Sequence, residues 1–264
     1  MVKYGFCNLA LVPMRREANN VSEQVSQVLF GETFDVLETR DDKCLIKTHH
    51  DLYEGWISRK QFLTISSDDL QRLNITPDLY CSKLLTSIEQ IDLSSGHSTT
   101  LPVALGAVFH DYRFVIGDYA FSITENDAIK PSLGDMESMI EFAKSLLNAP
   151  YLWGGRSVLG IDCSGFTQLC YRLAGIKIQR DAWQQANEGL LVEDFEKSQQ
   201  GDLCFFTQSD NETISHTGIY LGKGNIIHAC GKVRIDRLTN EGILDINTNE
   251  YSHKLIKVKT WSRL

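Results

Sequence analysis

Apolar and polar residues alternate through the first quarter of the chain. The run "VSQVLFGETFDVLET" (residues 25–39) breaks at a Gly-Glu pair, and "CLIKTHHDLYEGWISRKQF" (residues 44–62) follows it. A period of two predicts half-buried strands, here short, closely spaced and joined by tight turns. "SSDDLQRLN" then offers a serine cap and one or two helical turns. Residues 76–130 again read as strands, most clearly in "AVFHDYRFVIGDYAF", and "KPSLGD" (Lys130–Asp135) has the composition of a linker. From Met136 the period lengthens. "MESMIEFAKSLLN" places Met139, Ile140, Ala143, Leu146 and Leu147 on one helical face. "CSGFTQLCYRLAG" does the same with Phe166, Leu169, Cys170 and Leu173, with Asp162 as its N-cap and Gly175 as its C′ stop. A polar helical stretch and three strand-like runs, "GDLCFF", "HTGIYLG" and "NIIHAC", complete the pattern. Helices followed by strands predict an α+β domain built on an antiparallel sheet.

Length and composition agree with this division. At 264 residues two or three modules are expected, and 42% hydrophobic residues suffice for their cores. The boundaries predicted are 1–65, 66–130 and 136–264. A net charge of −8 argues against nucleic acid or an anionic membrane as partner. No apolar stretch approaches the ~18 residues of a membrane span. The N-terminus lacks a basic start followed by an apolar run, so a cytoplasmic location is expected, or a periplasmic or secreted one if a leader precedes it. Seven scattered cysteines, with no C-x-x-C pair, fit reduced thiols.

Cys163 stands apart because it falls in the first turn of a predicted helix. A free thiol with pKa about 8.5 is only a few per cent ionised at pH 7. Lowering that pKa by two units takes roughly 2.7 kcal/mol. A helix N-terminus supplies about 0.3–1 kcal/mol, and the neighbouring Asp162 opposes it. A nucleophilic role for this thiol therefore needs a basic partner, and histidine suits it. His49, His50, His97, His110 and His253 lie among polar or loop residues and are expected at the surface. His216 and His228 lie on strand-like runs around Gly222-Lys223-Gly224. A three-residue loop with Gly224 in the left-handed region pairs Ile219 with Ile227. That register puts Ile219, Leu221, Ile227 and Ala229 on one face and His216, Gly218, Tyr220, Ile226 and His228 on the other. Both imidazoles then share a face, with Gly218 leaving room beside them. The set Cys163, His216 and His228 suits nucleophilic catalysis. A metal site from the same three residues is the rival chemistry; without paired ligand motifs no metal is expected.

The blocks "YLWGG", "GIDCSGF", "RDAWQQ", "GDLCFF", "SHTGIYLG" and "IIHA" resemble, in order and spacing, the NlpC-type cysteine peptidases, bacterial enzymes acting on cell-wall peptides. The likeness runs from Met136 to about Leu264 and implies a papain-like domain. It implies Cys163 as nucleophile, His216 as general base and His228 as the group orienting it. Tyr151 matches a tyrosine beside the nucleophile that binds substrate or lines the oxyanion site; Asp162 and Ser164 match positions near the substrate's amino end. Upstream, "GETFDVLE" and "EGWI" resemble a bacterial SH3-like domain, with a second such module after it. The implied fold class is multi-domain: N-terminal all-β SH3-like barrels followed by an α+β papain-like cysteine peptidase domain.

This combination is similar to dipeptidyl-peptidase VI-like γ-D-glutamyl-L-diamino acid endopeptidases. In that group an acidic residue of the first SH3-like domain receives the substrate's ammonium group, with a tyrosine contributing; Glu54 and Tyr80 are the matching candidates. The implied partner is a murein peptide such as L-Ala-γ-D-Glu-diamino acid, cut by a monomer without cofactor in murein peptide recycling or remodelling. Two other classes stay open at this point: a wall-peptide binding protein, and a thiol-dependent acyltransferase or amidase.

Overall fold

A computed structural model describes residues 3–75, 79–208 and 213–261. The chain divides into two compact units, Met1–Pro131 and Ser132–Leu264, at the stretch whose composition predicts a linker.

In the first unit the alternating segments become a seven-stranded antiparallel sheet. Its spatial order is Gln24–Leu29, Leu11–Arg15, Glu54–Ser58, Lys43–Thr48, Thr33–Arg40, Lys3–Phe6 and Leu63–Ile65. One face buries Cys7, Val12, Met14, Val28, Phe34, Cys44, Ile46 and Ile57. The helix Ser67–Ile75 follows, as its serine cap predicts. Residues 79–129 add a four-stranded and a three-stranded antiparallel sheet. These do not enclose a core of their own: Phe6, Phe30, Ile65 and Leu73 are buried in one cluster with Cys81, Ile88, Val103, Phe109 and Phe121. The regions expected as two modules therefore share apolar side chains, and so they form one unit.

The second unit begins with α1 (Met136–Ser145), capped by Asp135, whose carboxylate accepts from Ser138 N. Met139, Ile140, Ala143 and Leu146 are buried as the spacing predicts, but Leu147 is exposed, because the helix has ended by then and the chain has turned. Next, α2 (Cys163–Leu173) is buried on every side, not on one apolar face alone. Strands cover one flank; α1, the short helix Ala182–Gln185 and the strand Arg156–Ser157 cover the others. Its polar residues survive burial because they are hydrogen-bonded: Thr167 Oγ1 donates to Gln185 Oε1 at 2.8 Å and Gln168 Nε2 to Ile178 O at 3.1 Å. Gly175, at φ 72°, stops the helix in the left-handed region that glycine enters without strain.

Seven strands follow: β1 (Leu190–Val192), β2 (Leu203–Thr207), β3 (His216–Gly222), β4 (Asn225–Cys230), β5 (Lys232–Leu238), β6 (Gly242–Leu244) and β7 (Tyr251–Thr260). They pair antiparallel in the order β1-β7-β2-β3-β4-β5-β6, and β6 also pairs with β7, so strands β2–β7 close into a barrel. In the β3–β4 hairpin Ile219 faces Ile227 and Gly218 faces His228, with Gly224 at φ 68°. The Ile219–Ile227 pairing is the one predicted, but it is reached differently: Gly222 faces Asn225, the turn is only Lys223 and Gly224, and a bulge between Tyr220 and Gly222 restores the register that a two-residue turn would otherwise shift. Closure of the barrel also buries the histidine-bearing face, together with Phe206, Tyr220, Ile226 and Ile243. All seven cysteines are free thiols. Among the described residues no helix is long and apolar enough to cross a membrane.

Candidate active site

Asp162 fixes the start of α2. Its Oδ1 accepts from Gly165 N at 2.7 Å as the helix cap, and its Oδ2 accepts from Gly154 N at 2.8 Å, which ties the preceding loop to the helix. Arg180 completes the arrangement. Its Nη2 donates to Asp162 Oδ2 at 2.6 Å, and its Nη1 to Asp162 Oδ1 at 3.0 Å and Ser164 Oγ at 2.9 Å. Both charges are buried, and such a pair is tolerated only with this degree of hydrogen bonding. Asp162 and Ser164, the residues matching the substrate's amino end, thus spend their polar atoms on Arg180 and loop amides. The Asp162 charge is compensated within the protein.

Cys163 opens α2, 6% exposed, and the backbone N–H of Thr217, the residue after His216, lies near enough to favour its ionised form; α2 packs on strand β3. The helix start and strand β3 therefore meet at the positions the sequence singles out. Burial pushes the thiol up to about 12 and the Asp162 charge adds to this; the Thr217 N–H and Arg180 pull it down. The resting sulfur is a thiol. A helix start and a nearby imidazole favour ionisation, but desolvation of the buried sulfur outweighs them. Tyr151 is half-buried, and burial, with Cys163 and Asp162 close by, keeps its hydroxyl a neutral donor.

His216 Nε2 lies 2.7 Å from His228 Nδ1, and His228 Nε2 lies 2.8 Å from Asp236 Oδ2 on β5. Gly218 permits this approach: a Cβ there would come within 2.8 Å of His228 Cβ. The carboxylate dictates where each proton sits. Asp236 Oδ1 already accepts from Arg234 at 2.7 Å and from Ile246 N at 3.1 Å. Burial pushes its carboxyl up, but the His228 and Ile246 hydrogen bonds and the Arg234 charge outweigh that and hold it below the usual carboxylate range. An ionised carboxylate only accepts, so His228 carries its proton on Nε2. His228 Nδ1 is then a lone pair, so His216 donates from Nε2. His216 Nδ1 is left unprotonated, the tautomer a base requires. Burial first, then the neighbouring His228 and His253, hold His216 well below the ordinary imidazole range, so it rests neutral.

The comparisons with known proteins meet this geometry. Residues 148–252 match the NlpC/P60 family, and residues 14–62 match the bacterial dipeptidyl-peptidase SH3 domain. The second unit carries an NlpC/P60 cysteine peptidase domain, and the first a bacterial dipeptidyl-peptidase SH3 domain. The chain is 29% identical over 255 residues to the gamma-D-glutamyl-L-lysine dipeptidyl-peptidase of Bacillus cereus, covering 88% of this chain and 73% of that one. Over 233 residues it is 26% identical to dipeptidyl-peptidase 6 of Lysinibacillus sphaericus, covering 79% and 80%. The fold matches a crystal structure of an NlpC/P60 family protein from Bacillus cereus with a TM-score of 0.80, at 24% identity over 98% of this chain and 99% of that one.

Within this NlpC/P60 unit, three residues join the site that pattern reading did not select. Asp236 sits in "KVRIDRL", where charge alternation reads as solvated. Arg180 lies in a quoted block but carries no spacing signal of its own. His253, expected at the surface, is 4% exposed and stacks on His216 with ring centroids 4.2 Å apart and planes at 28°. Its Nε2 meets Gln208 Nε2 at 2.9 Å and its Nδ1 meets Ser252 Oγ at 2.9 Å. Burial, then the neighbouring His228, lower it to about 4. His110 is likewise buried, its Nε2 3.0 Å from Gly31 O, so two of the five histidines assigned to the surface are interior. Among the described residues no group of three or more His, Cys, Asp or Glu side chains is arranged to hold a metal ion. Glu54 and Tyr80 belong to the first unit. Glu54 opens a strand and pairs with Lys47 Nζ at 3.2 Å, half exposed; Tyr80 is buried in the strand Leu79–Cys81.

Proposed function

We propose that this NlpC/P60 peptidase hydrolyses peptidoglycan peptides at the bond between γ-D-glutamate and a diamino acid, in substrates with a free N-terminal L-alanine. The observation that carries the reading is the ordered proton chain Asp236–His228–His216 behind a helix-start thiol. The relatives named gamma-D-glutamyl-L-lysine dipeptidyl-peptidase supply the bond. His216 Nδ1 takes the proton of Cys163 as the sulfur attacks the γ-glutamyl carbonyl. Because both groups rest neutral, proton transfer accompanies attack. The imidazolium so formed is stabilised through His228 by the Asp236 carboxylate. Backbone N–H groups at the start of α2 hold the oxyanion, and Tyr151, whose hydroxyl feels the Cys163 charge, assists substrate binding there. His216 returns its proton to the leaving amine, and water then cleaves the thioester.

Glu54 of the first unit is the proposed receptor for the L-alanine ammonium, and Tyr80 the tyrosine the resemblance assigns to the same task. A charge-assisted contact of that kind rejects N-blocked peptides. Mass spectrometry of products from L-Ala-γ-D-Glu-L-Lys and its N-acetyl form tests the reading. L-Ala-D-Glu and lysine are expected from the free peptide alone, and Glu54→Gln narrows the difference. Cleavage at another bond, or equal cleavage of both peptides, contradicts it.

A further inference from the structure

A cavity of about 580 Å³ opens at the end of the barrel where β3 begins, lined by Gln208, Asn240, Glu241, Tyr251, His253 and Lys254 among others. Its size lies within the range of small-ligand sites. The strand register places it. His216 faces Phe206 across β2–β3, Phe206 faces Leu255 on β7, and the next pair along, Thr207 and Lys254, both line the cavity. The His253 ring forms part of its wall and stacks directly on His216. The cavity therefore begins one ring's distance from the proposed proton donor.

We propose that this cavity receives the leaving diamino acid, with Glu241 reading its side-chain ammonium and Lys254 its carboxylate. The inference rests on the peptidase reading above and adds residues to it. The amine that leaves takes its proton from His216, so the residue bearing that amine starts beside His216 and must extend into neighbouring space. A diamino acid carries one further cationic amine and an acid group. The cavity presents one carboxylate and one ammonium, both on exposed residues of adjoining strand ends, Lys254 facing Gly242 next to Glu241. No ion pair joins the two side chains among the described residues, so both are available to a zwitterion. Gln208 donates to His253 Nε2, and His253 Nδ1–H donates to Ser252 Oγ, which fixes a neutral ring at the edge of the cavity, beside the base. A neutral ring there does not repel the incoming ammonium.

The test compares two substrates on wild type, Glu241→Gln and Lys254→Met. One is L-Ala-γ-D-Glu-L-Lys; the other is L-Ala-γ-D-Glu-p-nitroanilide, whose leaving group has neither charge. The ratio of kcat/KM for the peptide to that for the anilide is expected to fall about tenfold in each variant, mainly through KM of the peptide. Acetylating the lysine side chain should remove the Glu241→Gln effect and leave the Lys254→Met effect. Ratios equal to wild type in both variants would overturn the cavity assignment alone. A wild-type protein inert on both substrates would overturn the peptidase reading beneath it.

Discussion

Asp236→Asn exposes the logic of the site, because it changes almost no volume and reverses the proton order. The amide must choose which end points where. At the Oδ1 position Arg234 and the Ile246 N–H both donate, at 2.7 and 3.1 Å, so the amide oxygen belongs there. Its NH2 group then faces His228 Nε2, which must accept, and the proton moves to His228 Nδ1. That nitrogen, 2.7 Å from His216 Nε2, now donates to it. His216 is left with its proton on Nδ1 and cannot take one from Cys163. Restoring the reactive tautomer means facing one buried donor with another, at about 1–3 kcal/mol for an unsatisfied buried group. Near the upper end this corresponds to roughly a 100-fold fall in kcat at neutral pH, with KM little changed. Steady-state kinetics measures the rate, and ¹⁵N shifts of the imidazoles read the tautomers directly. Wild-type kcat in a folded Asp236→Asn protein, or an unchanged His216 tautomer, would refute the reasoning.

Two further outcomes follow from the same contacts. Arg180→Met leaves the buried Asp162 carboxylate without its cation, at a cost of about 3–5 kcal/mol; thermal denaturation should show the catalytic unit melting about 10 °C lower or more, and adding Asp162→Asn should recover part of the loss. His253 has a depressed folded pKa, about 4 against an ordinary 6.5, so its unfolded form binds the proton first as pH falls. Its stability contribution is fully present above pH 6.5 and is lost as pH drops toward 4, on the order of 3 kcal/mol; His253→Phe, which keeps a ring against His216, should flatten the fall in Tm between pH 6.5 and 4.5.

The elements that place the site were legible wherever local chemistry decides them. Asp162 before "CSGF" caps a helix, Gly175 ends it, and the Ile219–Ile227 pairing puts His216 beside His228, although a bulge before a two-residue turn, not a three-residue loop, sets that register. What escaped the sequence is what barrel closure decides. Asp236 reaches His228 only because β5 pairs with β4, and His253 reaches His216 only because the last strand joins both β2 and β6. The thiol's resting state escaped for a related reason. Position in a helix can be read along the chain, but the desolvation that outweighs it comes from everything packed around Cys163. Likewise, Phe6 and Phe30 fall within the first predicted module, 1–65, and the structure buries them in one cluster with residues of 79–129.

Cys163→Ala, incubated with L-Ala-γ-D-Glu-L-Lys and followed by mass spectrometry, tests the central claim most directly. No cleavage above the uncatalysed background is expected, while the peptide still binds with near wild-type affinity by calorimetry. Hydrolysis at the wild-type rate in that variant would show that the sulfur at the start of α2 is not the attacking atom.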